Sequence, residues 1–186
     1  MRRYLAIVVL LVVLFSGCSE KDSHLSPAIR FRSELVQSGG CSFEAEITAD
    51  YGTEIQQFRL LCDADAQGNV RCTILEPETL EGICAVVTEQ GGKIVYEGLS
   101  VDFGYLADGT IAPAAAPAIL LNSWLSGYIL WGGEQEAIYQ ATYEEEIKGS
   151  FVKVESFFKN NLPFSAEVCY NGKRVLEMKI TAFQFH

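Results

Sequence analysis

The residues able to carry chemistry are few or badly placed for it. Histidine occurs twice, as His24 and His186. Neither sits inside a core-forming stretch, so a positioned Ser-His or Cys-His nucleophile pair is not expected. No HExxH, GxSxG or P-loop string occurs. Paired carboxylates can hydrolyse glycosides, and the densest acidic run is Glu144-Glu145-Glu146. It follows a strand-like stretch and reads as a solvated turn. Glu134 and Glu136 read the same way, and strand phase turns Asp102 to a polar face. Six cysteines are present, Cys18, Cys41, Cys62, Cys72, Cys84 and Cys169, with no CxxC and no zinc-like spacing. No catalytic residue, metal or cofactor is expected, and the chain reads as a non-enzyme.

What stands out instead is the supply of large apolar side chains. Trp124, Tyr128 and Trp131, with Leu121, fall in one apolar segment, and Phe43, Phe58, Tyr96 and Phe103 fall in alternating ones. They fill a core or line a cavity for an apolar ligand; the same residue types serve both ends.

The start of the chain bears on where such a domain works. Met1-Arg2-Arg3 is basic, Tyr4 to Phe15 is almost unbroken apolar, and Ser16-Gly17-Cys18 closes the run. This is the layout of a secretory signal. The run is short of the ~20 residues that span a bilayer. Its end resembles a bacterial lipobox, with Phe15 where an aliphatic residue is usual and Leu14 one place earlier. The resemblance implies cleavage before Cys18 and lipidation of its sulfur; the alternative is an ordinary signal peptide with an incidental cysteine. The expected organisation is a signal peptide over 1–17, a lipid-anchored tether over 18–26 and one domain over 27–186, on the extracytoplasmic face of a membrane. Loss of Arg2 and Arg3 would leave 12 basic against 24 acidic residues, a charge of −12. Such a surface makes nucleic acid a poor partner and disfavours anionic lipid, so the membrane is reached through the lipid on Cys18.

The elements that must place the aromatics follow from period and punctuation. Ser26-Pro27 looks like a helix start, with Ser26 as cap, and Gly39-Gly40 like its end. From Cys41 the period falls to two: Cys41, Phe43, Ala45, Ile47 and Ala49 alternate with polar residues. Further strands are expected near 55–62, 70–75, 83–88, 93–96, 99–103, 137–143, 151–158, 166–170 and 174–185, and their short links imply antiparallel neighbours. A three-residue turn at Ala66-Gln67-Gly68 would set Cys62 opposite Cys72. That pair could close a disulfide or be two small core thiols. At Tyr170-Asn171-Gly172 a three-residue loop is expected, because it sets Ala166 and Val168 on the face of Leu176 and Met178. It leaves Cys169 on the other face, as an unpaired thiol. Between Pro117 and Gly132-Gly133 lies an apolar helix of roughly 14 residues, ending past Trp131 and suited to burial on a sheet. The order is helix, about six strands, apolar helix, about four strands, with the helices covering one apolar face.

This order resembles the LolA-like lipoprotein carrier superfamily. Three local cues carry it: the stretch Leu75-Glu76-Pro77-Glu78-Thr79-Leu80-Glu81-Gly82-Ile83, the turn Ile94-Val95-Tyr96-Glu97-Gly98-Leu99, and Asn161-Leu162-Pro163 ahead of a strand. The style is also similar to small lipoproteins of spore-forming Firmicutes, including a germination lipoprotein that binds a cortex-lytic amidase. The resemblance implies an α+β fold: one curved antiparallel sheet, a half-barrel of about ten or eleven strands, with helices over its concave face. It also implies a hydrophobic cavity for a lipid or acyl chain, lined or lidded by the apolar helix. A lipoprotein that anchors or activates a cell-wall enzyme, such as an amidase, is the alternative.

Overall fold

The computed structural model describes residues 24–186, apart from 89, 108–109 and 148. The signal segment, Cys18 and residues 19–23 of the tether lie outside the described residues. Among these, α1 (Ser26–Gln37) is followed by β1 (Gly40–Asp50), β2 (Ile55–Asp65), β3 (Val70–Glu76), β4 (Cys84–Thr88), β5 (Gly91–Tyr96) and β6 (Leu99–Phe103). A two-residue pair, β7 (Leu106–Ala107) and β8 (Thr110–Ile111), leads to α2 (Ala116–Leu125). Then come β9 (Tyr128–Gln135), β10 (Ile138–Ile147), β11 (Ser150–Lys159), β12 (Leu162–Tyr170) and β13 (Lys173–Phe185). No helix of the described residues is long and apolar enough to cross a membrane.

Eleven strands form one antiparallel sheet in the order β6-β5-β4-β3-β2-β1-β13-β12-β11-β10-β9. Sheets of this width curl, and α2 shows that this one does. The helix packs on β3 in one arm and on β10 in the other. Six strand spacings separate those two strands, about 29 Å on a flat sheet at ~4.8 Å per strand. A ten-residue helix is only about 15 Å long, so the arms must bend towards each other around it. The expected curved antiparallel sheet with helices on its concave face is the fold that forms.

Alternation decides which face is buried. On β1 the residues Cys41, Phe43, Ala45, Ile47 and Ala49 are buried, and their polar neighbours face the convex side. There Arg59 pairs with Glu44 and Glu76, Lys179 with Glu46, and Arg174 with Glu167 and Glu177. These exposed pairs contribute at most about 1 kcal/mol each.

The Ala66–Gly68 turn forms as expected. Asp65 N–H donates to Asn69 O, Gly68 takes φ +90°, and Cys62 faces Cys72. The second turn differs. Asn171 and Gly172 both have positive φ and make a two-residue loop, with Tyr170 opposite Lys173. A bulge at Val175 of β13, opposite the step from Val168 to Cys169, then restores phase, so Val168 still faces Leu176 and Ala166 still faces Met178. The faces were legible, but the turn length was not, because a bulge corrects register without leaving a sequence mark.

Two helix boundaries also differ. Ser26 is the first helical residue, not the cap; Leu25 precedes it and its carbonyl accepts from Ile29 N–H. The apolar helix ends at Leu125, not past Trp131. Ser126-Gly127 stops it, and Tyr-Ile-Leu-Trp, a run of strand-forming types, becomes β9 instead.

One guanidinium ties the two helices together. Arg32 of α1 donates from Nε to Trp124 O at 2.7 Å, and from Nη2 to Gly127 O at 2.6 Å and Ser123 O at 3.1 Å. These are C-terminal carbonyls of α2 and the residues just beyond, where a helix lacks internal donors and a cation is favoured. Arg32→Met should therefore destabilise the fold by about 2–3 kcal/mol, the cost of stranding charge-assisted acceptors. Urea unfolding of the two proteins measures this.

Candidate functional site

The concave hollow has two halves with different contents. One half is filled. Trp124 is 0% exposed, and its Nε1 donates to Ser156 Oγ at 3.0 Å. Phe31 stands edge-on to it with ring centroids 5.3 Å apart, and Phe43 lies at 6.0 Å. Phe158 and Phe183 close the cluster around Phe31. Leu121 is buried on the same helix. Of the expected cavity or packing residues, Trp124, Leu121 and Phe43 therefore pack the core.

The other half holds an apolar cavity of about 240 Å³. Phe58 and Leu60 of β2, Cys72 and Ile74 of β3, Ala85 of β4 and Ile94 of β5 form its wall. Leu80 and Ile83 enter from the turn after β3, and Pro113 and Ala114 roof it just ahead of α2. Gln56 is the one polar residue of the lining. Period two carries the wall outward. Ile94 faces Val101, Tyr96 faces Leu99 and Gly92 faces Phe103, all on the cavity side. Leu99 is 74% and Val101 68% exposed, while Phe103 packs against the core. Phe58 thus lines the cavity, Tyr96 stands on its rim, and Phe103 sits at the inner end of that rim. Gln56 and Pro113 also line an open groove of about 700 Å³ that holds Asp50, Glu54, Lys173 and Arg174.

Tyr128 and Trp131 belong to neither half. The early end of α2 carries them onto the edge strand β9, where they are exposed. The expectation that they share a helix with Trp124 is corrected accordingly.

The acidic run is corrected too. Glu144, Glu145 and Glu146 lie within β10, not in a turn after it. Adjacent strand residues point to opposite faces, so the three do not converge as a catalytic pair. Among the described residues no three His, Cys, Asp or Glu side chains are grouped to hold a metal. His24 lends its carbonyl to Tyr139 Oη at 2.9 Å, and His186 N–H donates to Gly40 O.

Cys62 and Cys72 face each other as thiols, with Sγ atoms 3.4 Å apart. The hydrogen bond to Cys72, with burial, pushes the Cys62 thiol well above its ordinary range. Burial and the charge of Asp63 push Cys41 up to about 12. Both are protonated at neutral pH and poor nucleophiles. Cys169 is half-buried on the face opposite Val168, as phase required.

Sequence reasoning missed Arg32, Leu80, Ile83 and the rim residues Leu99 and Val101. Arg32 did leave a signal, as a cation beside Phe31 on the buried side of α1.

No family profile matches the chain, and no curated protein sequence matches it significantly. Solved structures with a similar fold include the LolA superfamily protein NE2245 of Nitrosomonas europaea, at 12% identity over 88% of this chain and 93% of that one, with a TM-score of 0.46. An uncharacterised conserved protein of Thermus thermophilus shares 13% identity over 86% and 87%, with a TM-score of 0.47. The lipoprotein LppX of Mycobacterium tuberculosis shares 10% over 88% and 96%, with a TM-score of 0.38.

Glu145 generates a pH prediction. Its carboxyl is raised above the usual carboxylate range by burial, which outweighs the attraction of Arg32. A carboxyl that holds its proton more tightly folded than unfolded stabilises most at low pH. That contribution falls as pH rises above about 4.3 and through the raised folded value. Arg32 keeps its three carbonyl partners without it. Glu145→Gln should thus raise the melting temperature at pH 7 and match wild type at the acid end, as thermal melts between pH 4 and 8 would show.

Proposed function

We propose that this chain is an extracytoplasmic, lipid-anchored domain that binds an acyl chain or a similarly slender apolar ligand. The observation that carries this reading is the apolar cavity opening onto the exposed strip of Ile94, Tyr96, Leu99 and Val101. A volume of about 240 Å³ lies below the ~300–1,000 Å³ typical of drug-sized pockets. It suits one end of a single chain, with the remainder lying along the rim. Each methylene that enters contributes about 0.8 kcal/mol, and Gln56 is poorly placed to select among head groups. The anchor at Cys18, and export by the segment before it, rest on the N-terminal sequence pattern.

The test is ligand-dependent melting, with organic extraction of the purified protein. Palmitate at 100 times its dissociation constant should stabilise the fold by about 2.7 kcal/mol, a rise of roughly 5–10 °C. Ala85→Phe, which fills the cavity from β4, should abolish the rise while keeping the unliganded melting temperature. No extracted lipid and no shift with any fatty acyl compound would overturn the reading.

The same export would expose the Cys62–Cys72 pair to oxidant. Its two thiols would then lose two protons and two electrons to an extracytoplasmic oxidant and form a disulfide, closing to ~2.05 Å. Non-reducing peptide maps should show the linked pair in exported protein and free thiols in chain retained in the cytoplasm.

A further inference from the structure

Strand β9 carries a second apolar surface that neither the core nor the cavity uses. Tyr128 is 71% and Trp131 51% exposed, and Leu130 is exposed beside them. The strand pairs with β10 on one side only. A bulge between Thr142 and Tyr143 leaves Leu130 out of register, so it stands with Trp131 at the edge. Gly133 leaves room for the indole, since a Cβ there would overlap the Trp131 ring. The ring is thereby bedded on backbone, held in place while still exposed.

The N-terminal segment arrives at this same strand. His24 O accepts from Tyr139 Oη, and a Cβ on Gly132 would come within 2.8 Å of that carbonyl, so the segment lies against β9 on the face opposite the Trp131 ring. Only five residues lie between Cys18 and His24, so the two are at most about 20 Å apart along extended chain.

We propose that the β9 edge is the membrane-facing side of the domain, with Trp131, Tyr128 and Leu130 seated in the head-group region of the bilayer that holds Cys18. This rests on the lipid-anchor reading. A tether that short presses part of the domain against the bilayer, and the part nearest its exit is β9. Tryptophan and tyrosine favour this zone, because each joins an apolar body to a polar atom that stays hydrated. Tyr128 to Glu136 contains Glu134 and Glu136 and no Lys or Arg, so the surface suits zwitterionic lipid over anionic lipid. Water and head groups would also satisfy the unpaired backbone groups of the edge, which otherwise invite pairing with another chain.

The experiment uses full-length protein, purified from membranes and reconstituted in phosphatidylcholine vesicles, with its N-terminal mass measured first. Trp124 is buried in wild type and in Trp131→Phe alike, so the difference between their emission spectra reports Trp131. The expected result is a blue-shifted Trp131 component, quenched by brominated phosphatidylcholine and shielded from aqueous iodide. In Trp131→Phe the bromolipid quenching is lost and the melting temperature is unchanged. Lipidated protein whose Trp131 stays open to iodide overturns the proposal. So does a Trp131 shielded from both quenchers, which would mean that β9 edges pair between copies. A mass showing Cys18 without lipid removes the anchor and the docking together, and is told apart from the other two results by that measurement.

Discussion

The structure depends on keeping a short, uncharged helix wedged between the two arms of a curled sheet. Helix α2 has no charged residue, and eight of its ten residues are buried. Its side chains gain from burial, but each carbonyl left unpaired at or just past its end in this apolar setting would cost about 1–3 kcal/mol. Arg32 resolves this with three donors from one guanidinium. The consequence reaches the cavity, because Pro113–Ala115 runs directly into Ala116. The roof of the cavity is the lead-in to the clamped helix, so what holds α2 also holds the roof.

The same guanidinium makes tolerable what would otherwise be a poor arrangement. Tyr143 is buried with its hydroxyl unpartnered, and Glu145 Oε1 is buried without a partner beside it. Burial raises the pKa of both groups, and the charge of Arg32 opposes the rise in each case. A cation bound to three carbonyls still projects positive potential onto its neighbours. One charge thus serves as helix cap and as counter-field for two polar groups placed where water is scarce.

Much of the fold was legible because period two is unambiguous when one face is buried. Cys41 to Ala49 announced β1, and the Ala66–Gly68 turn fixed Cys62 against Cys72. The second hairpin shows the limit. Its faces were right and its turn was not, since the bulge at Val175 is invisible to pattern. The end of α2 failed for a different reason. Ile119 to Trp131 is largely apolar, and apolarity alone does not separate a buried helix from a strand. Ser126-Gly127 was the punctuation, and without tertiary context it reads as a weak break inside a long helix.

That single boundary decides what the aromatic residues do. Trp124 lies before the break and is locked between Phe31, Phe43 and Ser156. Trp131 lies after it and stands at the rim of the sheet. Chemically identical side chains, seven positions apart, become a core element and a surface element because Gly127 turns the chain from the hollow to the edge. The cavity follows the same logic. Phe58 and Ile94 line empty space because the helices cover only the half of the hollow where α1 and α2 meet. The open half is thus a product of helix length: ten residues reach from β10 to β3, Ala85 and Val87 of β4 are still buried, and beyond them Ile94, Leu99 and Val101 keep an apolar, exposed face.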